Sequence, residues 1–427
     1  MHILQIASGD FFSTYGGGQV YVKNIVDELV RQGAVKISIL SYTGNADIQK
    51  KTYRTCDLYE SGELSDEDFA QLLKEIGPDI IHAHSHKPQA CSIGKKLHIP
   101  VVVTAHHGGI VCPAGALLNS RDDICQTTIT HRNCLRCVLR NTRTGLVWYP
   151  MMRLLPERVY ITFGKILERL PFILFVTPIG RAAIHIQNKH TEWQTIVNNC
   201  ALMIAPCEAI KEAMVRNGLS EDNTRVVPHG IPLPQQIPPF PSIQNGVRFF
   251  YVGRICYAKG IHIMLEAFHK LTSPKAELHL IGESDNKAEC RYKKKLQTRF
   301  RQDPRIVWHG KTAPETIFTL IKDYHISIAP SVSMEAFGLS IAESLANGKP
   351  VVATCNGGAE MQIRNGENGW LIPTNDIDAL HTAMQDITEM SDSELFTMSA
   401  NCHAYPIADH CKRLYSIYVQ VAQHVSS

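Results

Sequence analysis

The sequence predicts a parallel α/β protein built as two successive units. Three observations carry that expectation. A chain of 427 residues exceeds one ordinary hydrophobic core and favours two or three domains. Short apolar runs of strand length alternate with stretches of helical periodicity, and the whole alternation occurs twice. Between the two series lies a stretch rich in Pro and Gly, residues 227–241, where elements end and backbone is exposed.

In the first series, residues 2–7 read as a strand, and Val22, Ile25, Val26, Leu29 and Val30 keep helical spacing up to a stop at Gly33. Residues 35–41, 79–84 and 101–105 read as further strands, short and apolar with turn residues at their edges. An insert over about residues 108–185 interrupts this core. In the second series, 247–252, 277–281, 306–309, 326–329 and 351–354 read as strands, 260–271 as a helix, and 339–347 as a helix closed by Gly348. At the end, Leu414, Ile417, Tyr418, Val421 and Val425 share one helical face that must pack against something. The expected division is residues 1–230, 231–408 and a final helix over 409–427.

Charge and composition exclude several classes. The balance of 43 basic against 40 acidic residues is too even to predict nucleic-acid binding. No apolar run reaches the roughly 18 residues of a spanning helix; the nearest, residues 170–179, is short and holds two prolines. The opening residues are strand-like and run into a Gly-rich loop, which predicts no secretory signal and a cytoplasmic chain. Thirteen cysteines in that setting favour reduced thiols or a metal site over a disulfide framework.

Glu335 and Glu343 bracket the predicted start of the helix after Phe337, Gly338 and Leu339, whose unpaired N–H groups can receive a diphosphate. Glu343 falls about one turn inside that helix, facing the same ligand as Glu335. Arg254 and Lys259 follow the first strand of the second unit, where a parallel fold places its ligand, and could neutralise one diphosphate together. The plainer alternatives are a solvated charged loop for the two cations and a carboxylate favoured by the helix dipole for Glu335. His82, His84 and His86 alternate along a strand without an acidic companion, which reads as packing rather than metal ligation. Gly16, Gly17 and Gly18 precede the first helix, but they do not form Gly-x-Gly-x-x-Gly and no acidic residue ends the second strand. Both facts weigh against a nicotinamide dehydrogenase.

Gly253-Arg254 with Lys259-Gly260, the Glu335/Glu343 motif and Gly357-Gly358-Ala359-Glu360 together resemble the GT-B retaining glycosyltransferases of family 4. Pro78 to His84, Val103 to His106 and Val227 to Ile231 extend the resemblance over most of the chain. It implies two facing Rossmann-like domains, an N-terminal acceptor domain and a C-terminal nucleotide-sugar domain, with a last helix crossing back to the first. It implies transfer of a hexose-type sugar from a nucleoside diphosphate, UDP above all, to a hydroxyl acceptor of glycan, lipid-linked or small-molecule type, as in polysaccharide biosynthesis. Carried over, Arg254 and Lys259 match the diphosphate pair, the backbone of Phe337, Gly338 and Leu339 the loop on sugar and phosphate, and Glu343 the ribose partner. Glu335 and His106 match the catalytic-side residues beside the donor sugar, and Gly17 and Gly18 the N-terminal glycine loop near donor phosphate. The position after His106, often Asp in the family, is His107 here, and Glu283 stands where Gly-x-Gly is often found. No cofactor is expected for catalysis if Arg254, Lys259 and the helix terminus hold the leaving group.

Two features stand apart. Cys112, Cys125, Cys134 and Cys137 have the composition of a four-thiolate structural zinc site, with buried free thiols as the alternative. Arg153, Arg158, Lys165 and Arg169 recur among apolar residues, as on a basic amphipathic face that contacts a membrane peripherally at its inner side, or as an ordinary packed helical pair. Outside transfer, the same architecture would serve a phosphorylase, an epimerase or a non-catalytic nucleotide-sugar binding protein. Release of nucleoside diphosphate and dependence on inorganic phosphate separate these.

Overall fold

The computed structural model describes residues 1–427 apart from 8, 13–15, 45, 46, 122, 141–148, 151–155, 157, 160, 161, 163–165, 167–176, 313 and 427. The chain divides into two compact units: Met1–Pro228 with His410–Ser427, and His229–Asp409.

The first unit is built on an eight-stranded sheet. In chain order its elements are β1 (His2–Ile6), α1 (Gly17–Gln32), β2 (Lys36–Tyr42), β3 (Gln49–Tyr53), β4 (Cys56–Ser61), α2 (Asp66–Ile76), β5 (Ile80–Ala83), α3 (Lys87–Lys96) and β6 (Val101–Thr104). The insert contributes α4 (His131–Leu139) and leads into α5 (Thr177–Asn199), followed by β7 (Leu202–Ala205), α6 (Glu208–Arg216) and β8 (Thr224–Val226). Strand order is β3-β4-β2-β1-β5-β6-β7-β8, parallel except for β3 against β4. The order of strand addition reverses at β1, with β2 on one side and β5 on the other, so the carboxyl ends of β1 and β5 flank a switch-point crevice. The helix over α1 stops at Gly33 because its left-handed φ of 67° lets its N–H turn back to the carbonyls of Leu29 and Val30. Sequence periodicity misses β3, whose Gln-Lys-Lys-Thr-Tyr sequence is almost wholly exposed on the sheet edge. Edge lysines of this kind discourage further pairing, and they also erase the apolar signal.

The second unit holds a six-stranded, all-parallel sheet in the order β11-β10-β9-β12-β13-β14. Its elements are β9 (Arg248–Val252), α7 (Ile261–His269), β10 (Glu277–Ile281), α8 (Lys287–Arg299), β11 (Ile306–Gly310), α9 (Pro314–Ile321), β12 (Ile326–Ala329), α10 (Leu339–Ala346), β13 (Val351–Thr354), β14 (Gly369–Ile372), α11 (Ile377–Glu389) and α12 (Asp392–Ala400). The central strand β9 is buried as Phe249, Phe250 and Tyr251, consistent with helices covering both faces. It lies between β10 and β12, which makes its carboxyl end the switch point of this sheet. The chain then runs into α13 (Ile407–Ser426), and from His410 onward that helix belongs to the first unit. Its Leu414, Ile417, Tyr418 and Val421 are buried, which accounts for the apolar face read from the sequence.

Candidate active site

Two loops of the second unit leave adjoining strands at the switch point. The loop after β9 carries Arg254 and, in a short 3₁₀ turn Tyr257–Lys259, the Lys259 ammonium. The loop after β12 carries Ser331 and Glu335 and ends at Gly338, the left-handed residue (φ 81°) that caps α10. Gly260 brings the two loops together. Its φ is 68°, and a Cβ there would lie 1.8 Å from the Pro330 carbonyl oxygen, so only glycine lets the Lys259 turn rest against the start of the Glu335 loop. Val332 and Ser333 N–H groups then donate to the Ala258 carbonyl at 2.9 and 3.1 Å.

Glu335 is the centre of the cluster. Its Oε1 accepts from both the Lys259 ammonium and the Ser331 hydroxyl in short contacts. Burial opposes ionisation, but the charge and hydrogen bond of Lys259, with Ser331 and the more distant Arg254, outweigh it and hold the carboxyl below its usual range. Backbone bracing fixes the carboxylate's position: Gly358 N–H donates to the Glu335 carbonyl at 2.7 Å, and Asn356 Nδ2 donates to the carbonyls of Ser331 (2.7 Å) and Ser333 (2.8 Å). Thr354 Oγ1 donates to the same Ser331 carbonyl at 2.8 Å, and Gln362 Nε2 donates to the Phe337 carbonyl.

Glu343 sits one turn inside α10, and its carboxylate forms no hydrogen bond or ion pair among the described residues. Burial alone pushes its pKa up to about 7. The two glutamates therefore have opposite electrostatics: one is ionised by a lysine, the other is half-neutral near pH 7. Arg254 is half-exposed and pairs with Asp285 (3.3 Å) and Glu289 (3.8 Å). Glu283 accepts from Lys293 at 2.6 Å, so that loop is closed by an ion pair in place of glycines.

In the first unit, Gly17 and Gly18 open α1 behind Gly16, whose φ is 125°, and no side chain caps the helix. Its first-turn N–H groups are thereby left for other acceptors. His106 lies just after β6, its ring 5.3 Å from that of Tyr21. It ends a chain of hydrogen bonds whose direction can be read from one fixed point. The Pro228 carbonyl can only accept, so His410 Nδ1–H donates to it at 2.8 Å. Burial holds His410 neutral, with a pKa of about 4, so its Nε2 accepts from the Tyr21 hydroxyl at 2.7 Å. Tyr21 in turn accepts from Thr104, which accepts from His82 Nε2–H at 2.7 Å, and His82 Nδ1 accepts from the Tyr418 hydroxyl at 2.7 Å. Tyr418 accepts from Gln5 Nε2 (3.3 Å), Gln5 Oε1 from His84 Nε2–H (2.9 Å), and His84 Nδ1 from His106 Nε2–H (3.0 Å). The wire leaves His106 protonated on Nε2. His82 and His84 serve this wire, and His86 occupies the N-cap position of α3 without a side-chain bond to the helix, its Nε2 lying 3.1 Å from Glu63.

The four insert cysteines share one neighbourhood. Burial first, and neighbouring thiols after it, push Cys134 up to about 12 and raise Cys112 and Cys137 as well. Cys125 is half-buried and contacts Thr127 Oγ1 at 3.3 Å. Among the described residues, no three or more His, Cys, Asp or Glu side chains are placed to hold a metal ion. Of the basic amphipathic face, Arg153, Lys165 and Arg169 lie outside the described residues, whereas Arg158 is exposed beside Val159. No helix among the described residues is long and apolar enough to cross a membrane.

The family model for glycosyl transferases group 1 matches residues 235–401, which contain Arg254, Lys259, Ser331, Glu335 and Glu343, and that for glycosyltransferase family 4 matches residues 15–123. The chain belongs to the GT-B glycosyltransferases of the family 4 type. Among relatives, it is 26% identical over 200 residues to the lipopolysaccharide 1,6-galactosyltransferase of Salmonella typhimurium, covering 45% of this chain and 54% of that one. It is 30% identical over 149 residues to the lipopolysaccharide core biosynthesis glycosyltransferase LpsE of Rhizobium meliloti, covering 35% and 41%. The chain thus spans about half the length, or less, of the curated relatives it matches. Its fold is that of Anabaena HepE, at a TM-score of 0.63, 16% identity and coverage of 97% and 98% of the two chains. The sucrose-phosphate synthase of Thermosynechococcus elongatus gives 0.65, 18%, 99% and 97%. Within this family 4 chain, Ser331, Asn356 and Thr354 escaped the sequence reading because single Ser, Thr and Asn residues carry no periodic signal. Gln5, Tyr21, Tyr418 and His410 escaped it because the wire joins residues more than 300 positions apart.

Proposed function

We propose that the chain is a retaining glycosyltransferase moving a hexose-type sugar from a nucleoside diphosphate, specifically UDP, to a hydroxyl of a glycan, lipid-linked or small-molecule acceptor. The observation that carries this is the Lys259, Glu335 and Ser331 cluster at the carboxyl ends of β9 and β12, beside the start of α10. Relatives named as a galactosyltransferase, an N-acetylglucosaminetransferase and a D-rhamnosyltransferase support sugar transfer, and HepE structures with UDP and UDP-glucose support the donor.

The chemistry follows from charge. A donor diphosphate beside Arg254, Lys259 and the first N–H groups of α10 has its developing negative charge met by two cations and a helix terminus. Lys259 is held by Glu335; an arriving diphosphate shares that ammonium and leaves Glu335 ionised beside the anomeric carbon, where it steadies positive charge. The bond from C1 to the leaving phosphate oxygen breaks, the acceptor oxygen bonds to C1 on the same face, and the acceptor proton passes to the departing phosphate. Glu343 accepts from a ribose hydroxyl, a partner that suits a carboxyl with none among the described residues. The exposed Arg158 and Val159, with Ile166, support a peripheral contact with an acidic membrane that would present lipid-linked acceptors.

The test is release of UDP from UDP-sugars, with and without acceptor, by the wild type and by Glu335→Gln and Lys259→Ala. Loss of roughly a hundredfold or more in turnover is expected in each while the protein stays folded. Full activity in both variants refutes the assignment. Release that requires inorganic phosphate reassigns the protein as a phosphorylase.

A further inference from the structure

A second concentration of positive charge lies in the first unit. Beyond the carboxyl ends of β5 and β6, a cavity of about 210 Å³ is lined by Ser85, His86, Lys87, His107, Lys189 and Glu192, among others. Lys87 is the first residue of the ten-residue helix α3. Lys87 is partly buried, and its ammonium makes no hydrogen bond or ion pair among the described residues. Withdrawing an unpaired ammonium from water even in part is costly, and a second cation nearby raises that cost. Burial, then the charge of Lys189, bring Lys87 down to about 8. Burial and both lysines likewise lower His107. Its Nδ1 accepts from Gly109 N–H at 3.0 Å, so the neutral ring carries its proton on Nε2 as a further donor.

The acidic groups nearby are already engaged. Glu192, the one carboxylate among the residues lining the cavity, pairs with Lys189 at 3.0 Å. Glu63 pairs with His86 at 3.1 Å. The cavity therefore offers two ammonium groups and an imidazole N–H, with one ammonium uncompensated. An oxyanion supplies what is missing: charge for Lys87 and acceptor oxygens for the remaining donors.

We propose that this cavity binds an oxyanion group, phosphate or carboxylate, carried by the acceptor, so that the enzyme prefers acidic acceptors to neutral ones. The acceptor part of this inference rests on the transferase reading above; the anion site itself does not. A neutral acceptor leaves the Lys87 ammonium unpaired on binding, whereas an acidic one neutralises it, and that difference sets the preference.

Inorganic phosphate at constant ionic strength is the first probe, read by thermal shift and calorimetry. Wild type is expected to be stabilised by phosphate through mass action. Lys87→Gln is expected to melt higher without ligand, because an unpaired, partly buried charge beside Lys189 is gone, and to bind phosphate about tenfold more weakly. Glu192→Gln, which frees Lys189, is expected to bind it severalfold more tightly. If Lys87→Gln yields no folded protein, Lys189→Gln takes its place with the same loss expected. Absence of phosphate binding in wild type, or unchanged binding in the lysine variant, overturns the site. The second probe compares glucose, glucose 6-phosphate and glucuronate as acceptors in UDP release from UDP-glucose. A preference of at least tenfold for the acidic sugars, lost in Lys87→Gln, supports the acceptor assignment, and equal rates overturn it. UDP-glucose stabilisation measured on the same samples separates the two ideas. Its absence alongside phosphate binding overturns the transferase reading alone, and its presence without phosphate binding overturns the anion site alone.

Discussion

Glu343→Gln removes a titrating proton while keeping the side chain's length, and the pH dependence of its effect is set by the carboxyl's surroundings. In the folded chain that carboxyl is raised from an ordinary 4.5 to about 7 by burial. An acid with a raised folded pKa costs nothing below its unfolded value, because both states are then protonated. As pH climbs from 4.5 to 7 the unfolded chain ionises first, so stability falls, and above 7 the loss is constant. At about 1.4 kcal/mol per unit, the loss is about 1 kcal/mol at pH 5 and about 3 kcal/mol at pH 8. The glutamine variant avoids it and should exceed wild type in unfolding free energy by these amounts, a gap that widens with pH. Urea unfolding of both proteins at pH 5 and pH 8, followed on the transition of the second unit, measures it. A gap that is the same at both values would show that the carboxyl is not shielded from water, and the reasoning fails. The same substitution should weaken UDP binding, since a carboxylate is a better acceptor of ribose hydroxyls than an amide. A residue that destabilises the free protein and strengthens ligand binding is the expected signature of a binding site.

Three further outcomes follow from the geometry. Gly260→Ala would place a Cβ 1.8 Å from the Pro330 carbonyl in a left-handed residue, so it should cost about 2 kcal/mol or more of stability and displace Lys259, lowering UDP-glucose affinity; unchanged unfolding and binding would disprove the close approach. Tyr418→Phe removes the hydroxyl that passes hydrogen-bond direction from Gln5 to His82, so nitrogen-15 spectra of the His106 ring should lose the single Nε2–H form, with kcat falling and donor KM held; an unaltered ring spectrum would show that the wire does not set the tautomer. Burial of Cys134, with a pKa of about 12, should make its alkylation slow at pH 7 and faster with rising pH; one equivalent of zinc after reducing purification, with alkylation released only by chelator, would instead mean that the four insert thiols close on a metal.

Much of the second unit was legible because its chemistry is local in sequence. The Arg254 and Lys259 loop, the Glu335 loop and Gly338 each lie within a few residues of a strand end, so motif spacing placed them correctly on the fold. The expectation that Glu335 and Glu343 face one ligand did not anticipate their different environments. Lys259 lies 76 positions from Glu335, and only the side-by-side placement of β9 and β12 makes it the partner that ionises one glutamate and leaves the other to burial. The first unit was less legible. Strand β3 was hidden by its exposed lysines, and His82 and His84, which read as packing residues of an alternating strand, prove to be links of the hydrogen-bond wire.

By itself the sequence determined the two α/β units, the loops that could hold a diphosphate and the residue types available there, because hydrophobic period and glycine placement act over short stretches of chain. Tertiary structure decided which charges meet. It set Lys259 against Glu335, left Glu343 and Lys87 without counter-charges, and ran a one-way hydrogen-bond wire from Pro228 to His106 through α13. The physical reason is that electrostatic and hydrogen-bond partners are chosen by distance and burial in space. Neither quantity can be read from position along the chain.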